Sequence, residues 1–293
     1  MRRISLFFLF PVLLLANECF QFSCAIGYRR DKAEMDFPGI YSSTDFLNSV
    51  EFGSTMRIQA LNFLFSLDGD VGWFVSGSGS NDVPLQAPSR ETLQEKSNYS
   101  SGGFFTDGWA NFGYPLGEVY QFLPQASFGI FYQQISQGEC HPAGPILSHS
   151  RLKRLWFGPG AGADLIARPD PAWLFSAGYF YYFLHFDQSF NLFSDLLYSS
   201  PSFAEYFLWQ KYRASTYAHG QKISGKISAQ IAQEWRFNLR FDAFLFSAKN
   251  PGTLKQDFTQ LFPLEATFSE KVELQGSAAW QAYSAFVEIE YFF

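Results

Sequence analysis

The sequence predicts an all-β protein, a transmembrane antiparallel up-and-down β-barrel of about ten strands that follows a cleaved signal peptide. Three observations carry this expectation: the pattern of the last residues, the balance of aromatic against charged residues, and the alternation of short and long connections between strand-like segments.

The ending comes first. From Tyr283 the odd positions run Tyr283, Ala285, Val287, Ile289, Tyr291 and Phe293, and the even positions between them include Ser284, Glu288 and Glu290. Successive side chains of a strand face opposite sides, so one face suits lipid and the other water. An apolar strand that stops in an aromatic residue is an aggregation hazard unless membrane or a neighbouring strand covers it. The pair Tyr291 and Phe293 resembles the C-terminal assembly signal of bacterial outer-membrane proteins. That resemblance implies the bacterial outer membrane as location, with its lipids, periplasmic chaperones and the barrel assembly machinery as partners.

Composition agrees. Of 293 residues 36 are Phe, aromatics make up 20% and charged residues only 16%, where a soluble domain carries about 25% charged residues. Mean hydropathy is nevertheless -0.07. Beyond the N-terminal segment no apolar run reaches the roughly 18 residues of a membrane helix. A barrel needs no such run, because only every second residue meets lipid. The mildly acidic chain, at a formal charge of -6, excludes nucleic acid as a partner.

Arg2 and Arg3 precede an apolar run from Ile4 to Leu15, and Ser23-Cys24-Ala25 places small residues where a signal peptidase reads them. Residues 1–25 are therefore expected to be removed and 26–293 to form the barrel. Lipoprotein processing at Cys19 or Cys24 is the alternative, with poor flanking residues for it. Loss of Arg2, Arg3 and Glu18 moves the charge to -7 and leaves Cys140 as the remaining cysteine, so no disulfide forms within the chain.

Ten segments with strand periodicity follow: Lys32 to Phe37, Val50 to Ala60, Phe63 to Ser76, Gly103 to Leu116, Phe122 to Ile135, Leu155 to Arg168, Trp173 to Phe190, and three more starting near Thr216, Glu234 and Glu273. The cleanest sets Trp235, Phe237, Leu239, Phe241, Ala243 and Leu245 against Glu234, Arg236, Asn238, Arg240 and Asp242. A strand buried on both faces does not carry such a polar row. Its predecessor sets Ile223, Ile227 and Ile231 against Lys222, Ser224, Lys226, Ser228 and Gln230.

Short connections fall at Leu61-Asn62, Gly117 to Tyr120, Pro169 to Pro171 and Ala232-Gln233. Long ones fall at Pro38 to Ser49, Gly77 to Ser101, Gln137 to Lys153, Asn191 to Ser215 and Lys249 to Val272. Strict alternation is what a barrel with both termini on one side requires. Runs such as Ser76-Gly77-Ser78-Gly79-Ser80-Asn81-Asp82 predict flexible loops.

Parity assigns thirteen polar residues to the lumen: Arg57, Asp68, Asp70, Asp107, Asp164, Arg168, Lys222, Lys226, Arg236, Arg240, Asp242, Glu288 and Glu290. Ten strands enclose a narrow lumen that side chains fill, whereas water-filled porins use about 16. Both signs are present, as a paired network requires. The expected role is passive: envelope structure and surface display, with the outer loops open to a host or surface ligand. A narrow porin-like channel for small solutes is the alternative.

Catalysis is tested by resemblance to the omptin proteases, ten-stranded barrels that set an Asp pair against an Asp and a His. Asp68 and Asp70 are two residues apart and His185 precedes Asp187, so a carboxylate pair and a His able to activate water are both present. The order within the second pair is reversed, and Asp68 and Asp70 fall mid-strand. No catalytic, cofactor or metal residue is assigned. Gly158-Pro159-Gly160-Ala161-Gly162 lacks the helix of a phosphate loop and reads as a closely packed strand. Cys140, His141 and His149 lack a fourth ligand at metal spacing. Tyr179 to Phe183 reads as part of an interfacial girdle.

Gly27-Tyr28-Arg29-Arg30-Asp31, Gly72-Trp73, Trp156-Phe157-Gly158-Pro159 with Asp164 beyond it, and Ala177-Gly178-Tyr179 together resemble an outer-membrane protein family of environmental chlamydiae. The resemblance implies an outer-membrane barrel and no catalytic residue.

Overall fold

A strand with one dry face and one wet face leaves its edges unpaired, and closure into a ring removes every edge. The computed structural model takes that solution. It describes residues 20–38, 41–60, 62–86, 92–140, 150–196, 206–249, 252–260 and 266–293.

Among these the strands are β1 Phe20–Phe37, β2 Tyr41–Ala60, β3 Phe63–Gln86, β4 Thr92–Gly113, β5 Tyr120–Cys140, β6 Ser150–Asp170, β7 Trp173–Leu196, β8 Tyr206–Ala232, β9 Trp235–Lys249, β10 Gly252–Gln260, β11 Ala266–Leu274 and β12 Ser277–Phe292. Neighbours from β1 to β9 pair in chain order, β9 pairs β12, and β12 closes on β1, all antiparallel. The upper part of β8 pairs β10, and β10 pairs β11. So β9 with β10, and β11 with β12, are successive parts of single staves. The closed barrel has ten staves.

Phe20 and Phe293 share one end with four tight connections, which we call the turn end. The first is a two-residue turn whose Asn62 adopts a φ of 67°, a left-handed conformation that Asn tolerates well. At the other end the staves run on as long hairpins. Residues expected in flexible loops are strand: Ser78, Ser80 and Asp82 pair Phe46, Thr44 and Ser42, and the segments 191–196 and 206–211 pair across β7 and β8. Beyond the alternating segments both faces of these strands are polar, so pairing continues while the hydropathy alternation that would reveal it disappears.

The first strand also begins earlier than periodicity indicated, at Phe20 rather than Lys32. Residues Gln21 to Ala25 pair Phe292 to Glu288 on one side and Arg57 to Gly53 on the other. The expected cleavage point after Ala25 thus falls inside β1, and Cys24 stands exposed on the outer face. The side chain of Cys140, and residues His141 and His149, lie outside the described residues.

Exposed apolar side chains form an outer band. Its rim at the turn end carries Phe63, Tyr120, Trp173 and Trp235, and its opposite rim carries Tyr28, Trp73, Tyr217 and Tyr283. Between them stand Ile26, Phe52, Ile130, Ile223, Phe241, Val287 and Ile289. On β12 the two rims are marked by Tyr291 and Tyr283, eight residues or about 27 Å of strand apart. A strand tilt of about 40° shortens this to about 20 Å, close to the roughly 25 Å apolar band of a membrane barrel.

Candidate functional site

Inner positions near the turn end are polar on nearly every stave, and they leave a cavity of ≈ 250 Å³. Six cations line it (Arg57, Arg168, Lys222, Lys226, Arg236 and Arg240), and so do six carboxylates (Asp68, Asp70, Asp164, Asp242, Glu288 and Glu290). The balance gives no single-sign field to select an ion. Arg240 is the hub. Its guanidinium meets Asp70 at 2.9 Å, Asp242 at 3.0 Å and Glu288 at 3.9 Å, and it covers the Phe286 ring at 3.8 Å. Lys226 Nζ donates to Glu288 at 2.9 Å and to Glu290 at 3.4 Å, and Asn238 Nδ2 donates to the same two carboxylates.

A second chain of hydrogen bonds crosses the opposite wall. Asn111 donates to Asp68 at 2.9 Å, Ser127 donates to Asn111 at 2.6 Å, and Gln125 donates to Asp164 at 2.6 Å. Among the described residues no group of three or more His, Cys, Asp or Glu is placed to hold a metal ion.

Toward the hairpin end the inner positions turn aromatic. Phe105, Phe131, Trp156, Phe186 and Trp280 each have 0% of their surface exposed. Phe131 and Trp280 stack with centroids 3.8 Å apart, Phe246 meets Trp280 edge-on at 4.9 Å, and Trp109 stacks on Phe244 at 5.7 Å. Room for Trp109 comes from Gly129 on the neighbouring strand, where any Cβ would collide with the indole ring.

A charged cluster centred on Arg29 is buried inside this layer. Arg29 binds Asp31 and Asp107 at 3.1 Å each and stands 3.8 Å from Glu51, with its guanidinium 3.9 Å above Phe105 and 4.8 Å from Trp280. Trp280 and Trp109 in turn donate to Asp31 and Asp107. A buried cation must be paired, and here the pairing also fixes the rings. Above the layer Arg154 of β6 crosses the lumen and donates to the carbonyls of Glu34 on β1 at 2.7 Å and Ala279 on β12 at 3.3 Å. Among the described residues the lumen is a polar cup under an aromatic ceiling.

All thirteen residues assigned to the lumen by parity stand on the inner face, and all but Asp107 line the cup. Asp107 belongs to the Arg29 cluster above it. Arg29, Asp31, Glu51 and Arg154 had no place in the parity assignment. The signal existed for two of them, since Arg29 and Asp31 alternate in step with the inward Ala33, Met35 and Phe37.

The Asp68–Asp70 pair and the His185–Asp187 pair separate. Asp70 is buried on the inner face, whereas His185 and Asp187 point outward, with Phe186 between them buried inside. Asp68 and Asp70 therefore cannot share a substrate with His185 and Asp187. His185 Nε2 does lie 3.2 Å from Asp187 Oδ1 and 3.0 Å from Ser215 Oγ. Both contacts use one nitrogen, so the carboxylate cannot orient the ring while that nitrogen takes a proton from the serine, as nucleophile activation requires.

No protein-family model and no curated protein matches the chain. Solved structures do. The outer membrane protease OmpT from Escherichia coli superposes with a TM-score of 0.72 at 9% identity, covering 94% of this chain and 97% of that one. The translocator domain of the autotransporter NalP from Neisseria meningitidis matches with a TM-score of 0.40 at 11% identity, over 96% and 91% of the two chains. The fold is that of the outer-membrane β-barrels.

Proposed function

We propose that the chain is an integral protein of the bacterial outer membrane with a passive envelope role, a sealed barrel that holds its long hairpins outside the cell. One observation carries the reading: the stacked layer of Phe131, Trp280, Phe244 and Trp109, clamped by Arg29, closes the cross-section above the polar cup. A conducting lumen needs polar side chains and water along its whole length, as in the wider barrels. Here the polar cup ends at the aromatic layer. The aromatic rims on the outer face support membrane insertion, and the closed ring leaves no edge for lipid to face. The turn end then faces the periplasm, and the hairpins are the surface open to a host or surface ligand.

The narrow-channel reading has the ≈ 250 Å³ cup in its favour and needs the aromatic layer to move aside. The protease reading has the OmpT-like fold in its favour, but its Asp68–Asp70 pair and its His185–Asp187 pair stand on opposite faces of the wall. The deciding experiment is single-channel recording of the folded chain in a planar bilayer, after a gel has established that it is heat-modifiable. A silent barrel supports the sealed reading, and discrete conductance steps overturn it.

A further inference from the structure

The charges that line the polar cup are not all spent on one another. Lys226 and Arg240 are paired with Asp70, Asp242, Glu288 and Glu290. Arg57 of β2, Asp68 of β3, Asp164 of β6 and Lys222 of β8 line the same cavity, and among the described residues none of these four has a counter-ion within ion-pair distance. On the ring of ten, β8 stands five staves from β3, and β6 stands four from β2. Lys222 therefore faces Asp68, and Arg57 faces Asp164, across the lumen. Each cation is within electrostatic reach of the carboxylate opposite, and the cavity lies between them.

All four keep hydrogen-bonding capacity in hand. Ser66 and Asn111 both donate to Asp68 Oδ2, and Gln125 donates to Asp164 Oδ2. Among the described residues no donor reaches the Oδ1 of either carboxylate, and no acceptor reaches the guanidinium of Arg57 or the ammonium of Lys222. Lys222 Nζ stands instead under the aromatic ceiling, 4.8 Å from the centre of the Trp109 ring and 5.3 Å from that of Phe244. The cavity lining runs from there to Gln59 and Arg168, which are exposed at the turn end. A ligand thus has a way in at that end and two charges of each sign to meet inside.

We propose that the cup binds a small zwitterion, an amino acid or dipeptide, with its carboxylate on Arg57 and Lys222 and its ammonium on Asp68 and Asp164. A lone anion would leave the two free carboxylate oxygens facing it, and a lone cation would face Arg57 and Lys222. A molecule carrying both charges satisfies all four, and charge-assisted hydrogen bonds are the strong ones. Size agrees: the ≈ 250 Å³ of the cup falls just short of the roughly 300 Å³ at which pockets for drug-sized ligands begin. This goes beyond the envelope role and stands on the cup alone. The membrane orientation proposed above supplies only the side of entry, the periplasm. Conductance steps in the bilayer would overturn the sealed reading, whereas binding by the folded chain in detergent is judged separately.

The test is a ligand-observed NMR titration of the full chain, folded in detergent and heat-modifiable on a gel, with three probes of similar size. Alanylalanine carries both charges, its N-acetyl form only the carboxylate, and its C-terminal amide only the ammonium. Alanylalanine is expected to bind at least about tenfold more tightly than either blocked form, the loss of one charged hydrogen bond or more. Lys222→Gln should weaken alanylalanine and the acetyl form about tenfold and leave the amide within about twofold. Asp164→Asn should do the reverse, weakening alanylalanine and the amide and sparing the acetyl form. If Lys222→Gln does not give a heat-modifiable barrel, Arg57→Gln takes its place with the same expectation. A purely structural role would move all three probes together. No saturable binding of alanylalanine to the wild type, blocked forms that bind as well as it does, or variants that weaken all three probes alike would each overturn the proposal.

Discussion

Phe131 on β5 and Trp280 on β12 stack at 3.8 Å between centroids, although their staves stand five apart on a ring of ten. Two side chains from diametrically opposite walls therefore meet in the middle of the lumen, and the proposed sealed barrel rests on that contact. The double variant Phe131→Ala with Trp280→Ala should conduct where the wild type is silent. Truncating a buried Phe or Trp costs about 3–5 kcal/mol, so a heat-modifiable band must be demonstrated first. A folded double variant that stays silent would place the barrier elsewhere.

The Arg240 hub should matter more to stability than to permeation. Arg240→Ala leaves Asp70, Asp242 and Glu288 facing one another with their shared counter-ion gone. Removing one partner of a buried pair costs about 3–5 kcal/mol. Adding Asp70→Asn should recover part of that loss, because it removes one of the repelling charges. Urea titration of the chain in vesicles measures both, and a double variant no more stable than Arg240→Ala would mean that Asp70 is not coupled to the hub.

Depth in the membrane gives a sharper contrast. Val287 stands exposed midway along the outer band, and Ser277 stands above its rim on the same strand. An arginine facing lipid costs about 2–4 kcal/mol at the midplane and about 0–1 near the interface. Val287→Arg should therefore lower unfolding stability in vesicles by that larger amount and Ser277→Arg hardly at all. Equal effects would remove the membrane from the interpretation of the band.

How much of this was legible follows from where hydropathy alternates. Where one face meets lipid and the other a wet cup, as along Trp235 to Asp242, each residue declares its side, and the cup could be read from parity. In the aromatic layer both faces are apolar: Tyr181, Phe183 and His185 point outward while Tyr182, Leu184 and Phe186 point inward. Period two then carries no sign, so the placement of His185 and Asp187 was open and the ceiling formed by Phe131, Phe246 and Trp280 went unseen. Above the rim both faces are polar, and Ser76 to Asp82 looked like loop for the matching reason. Long-range closures such as Arg154 to Glu34 leave no trace in local sequence.

Processing supplies the last prediction. The backbone of Gln21 to Ala25 is paired on both sides, Phe293 N donates to the Phe20 carbonyl at 3.0 Å, and the ring of Phe20 lies 5.2 Å from that of Phe293. Cleavage after Ala25 would strip the partners from Glu288 to Phe292 on one flank and from Gly53 to Arg57 on the other. Every unpaired backbone group facing hydrocarbon costs several kcal/mol, and the seam between β1 and β12 would lose its pairing at the turn end, below Ile26 and Val287. The mature chain should therefore begin at or before Phe20, as intact mass and N-terminal sequencing of protein extracted from outer membranes would establish. Refolding compared between chains starting at Phe20 and at Ile26 should favour the longer one, and a native N-terminus at Ile26 in a heat-modifiable barrel would refute the account of how β1 closes the ring.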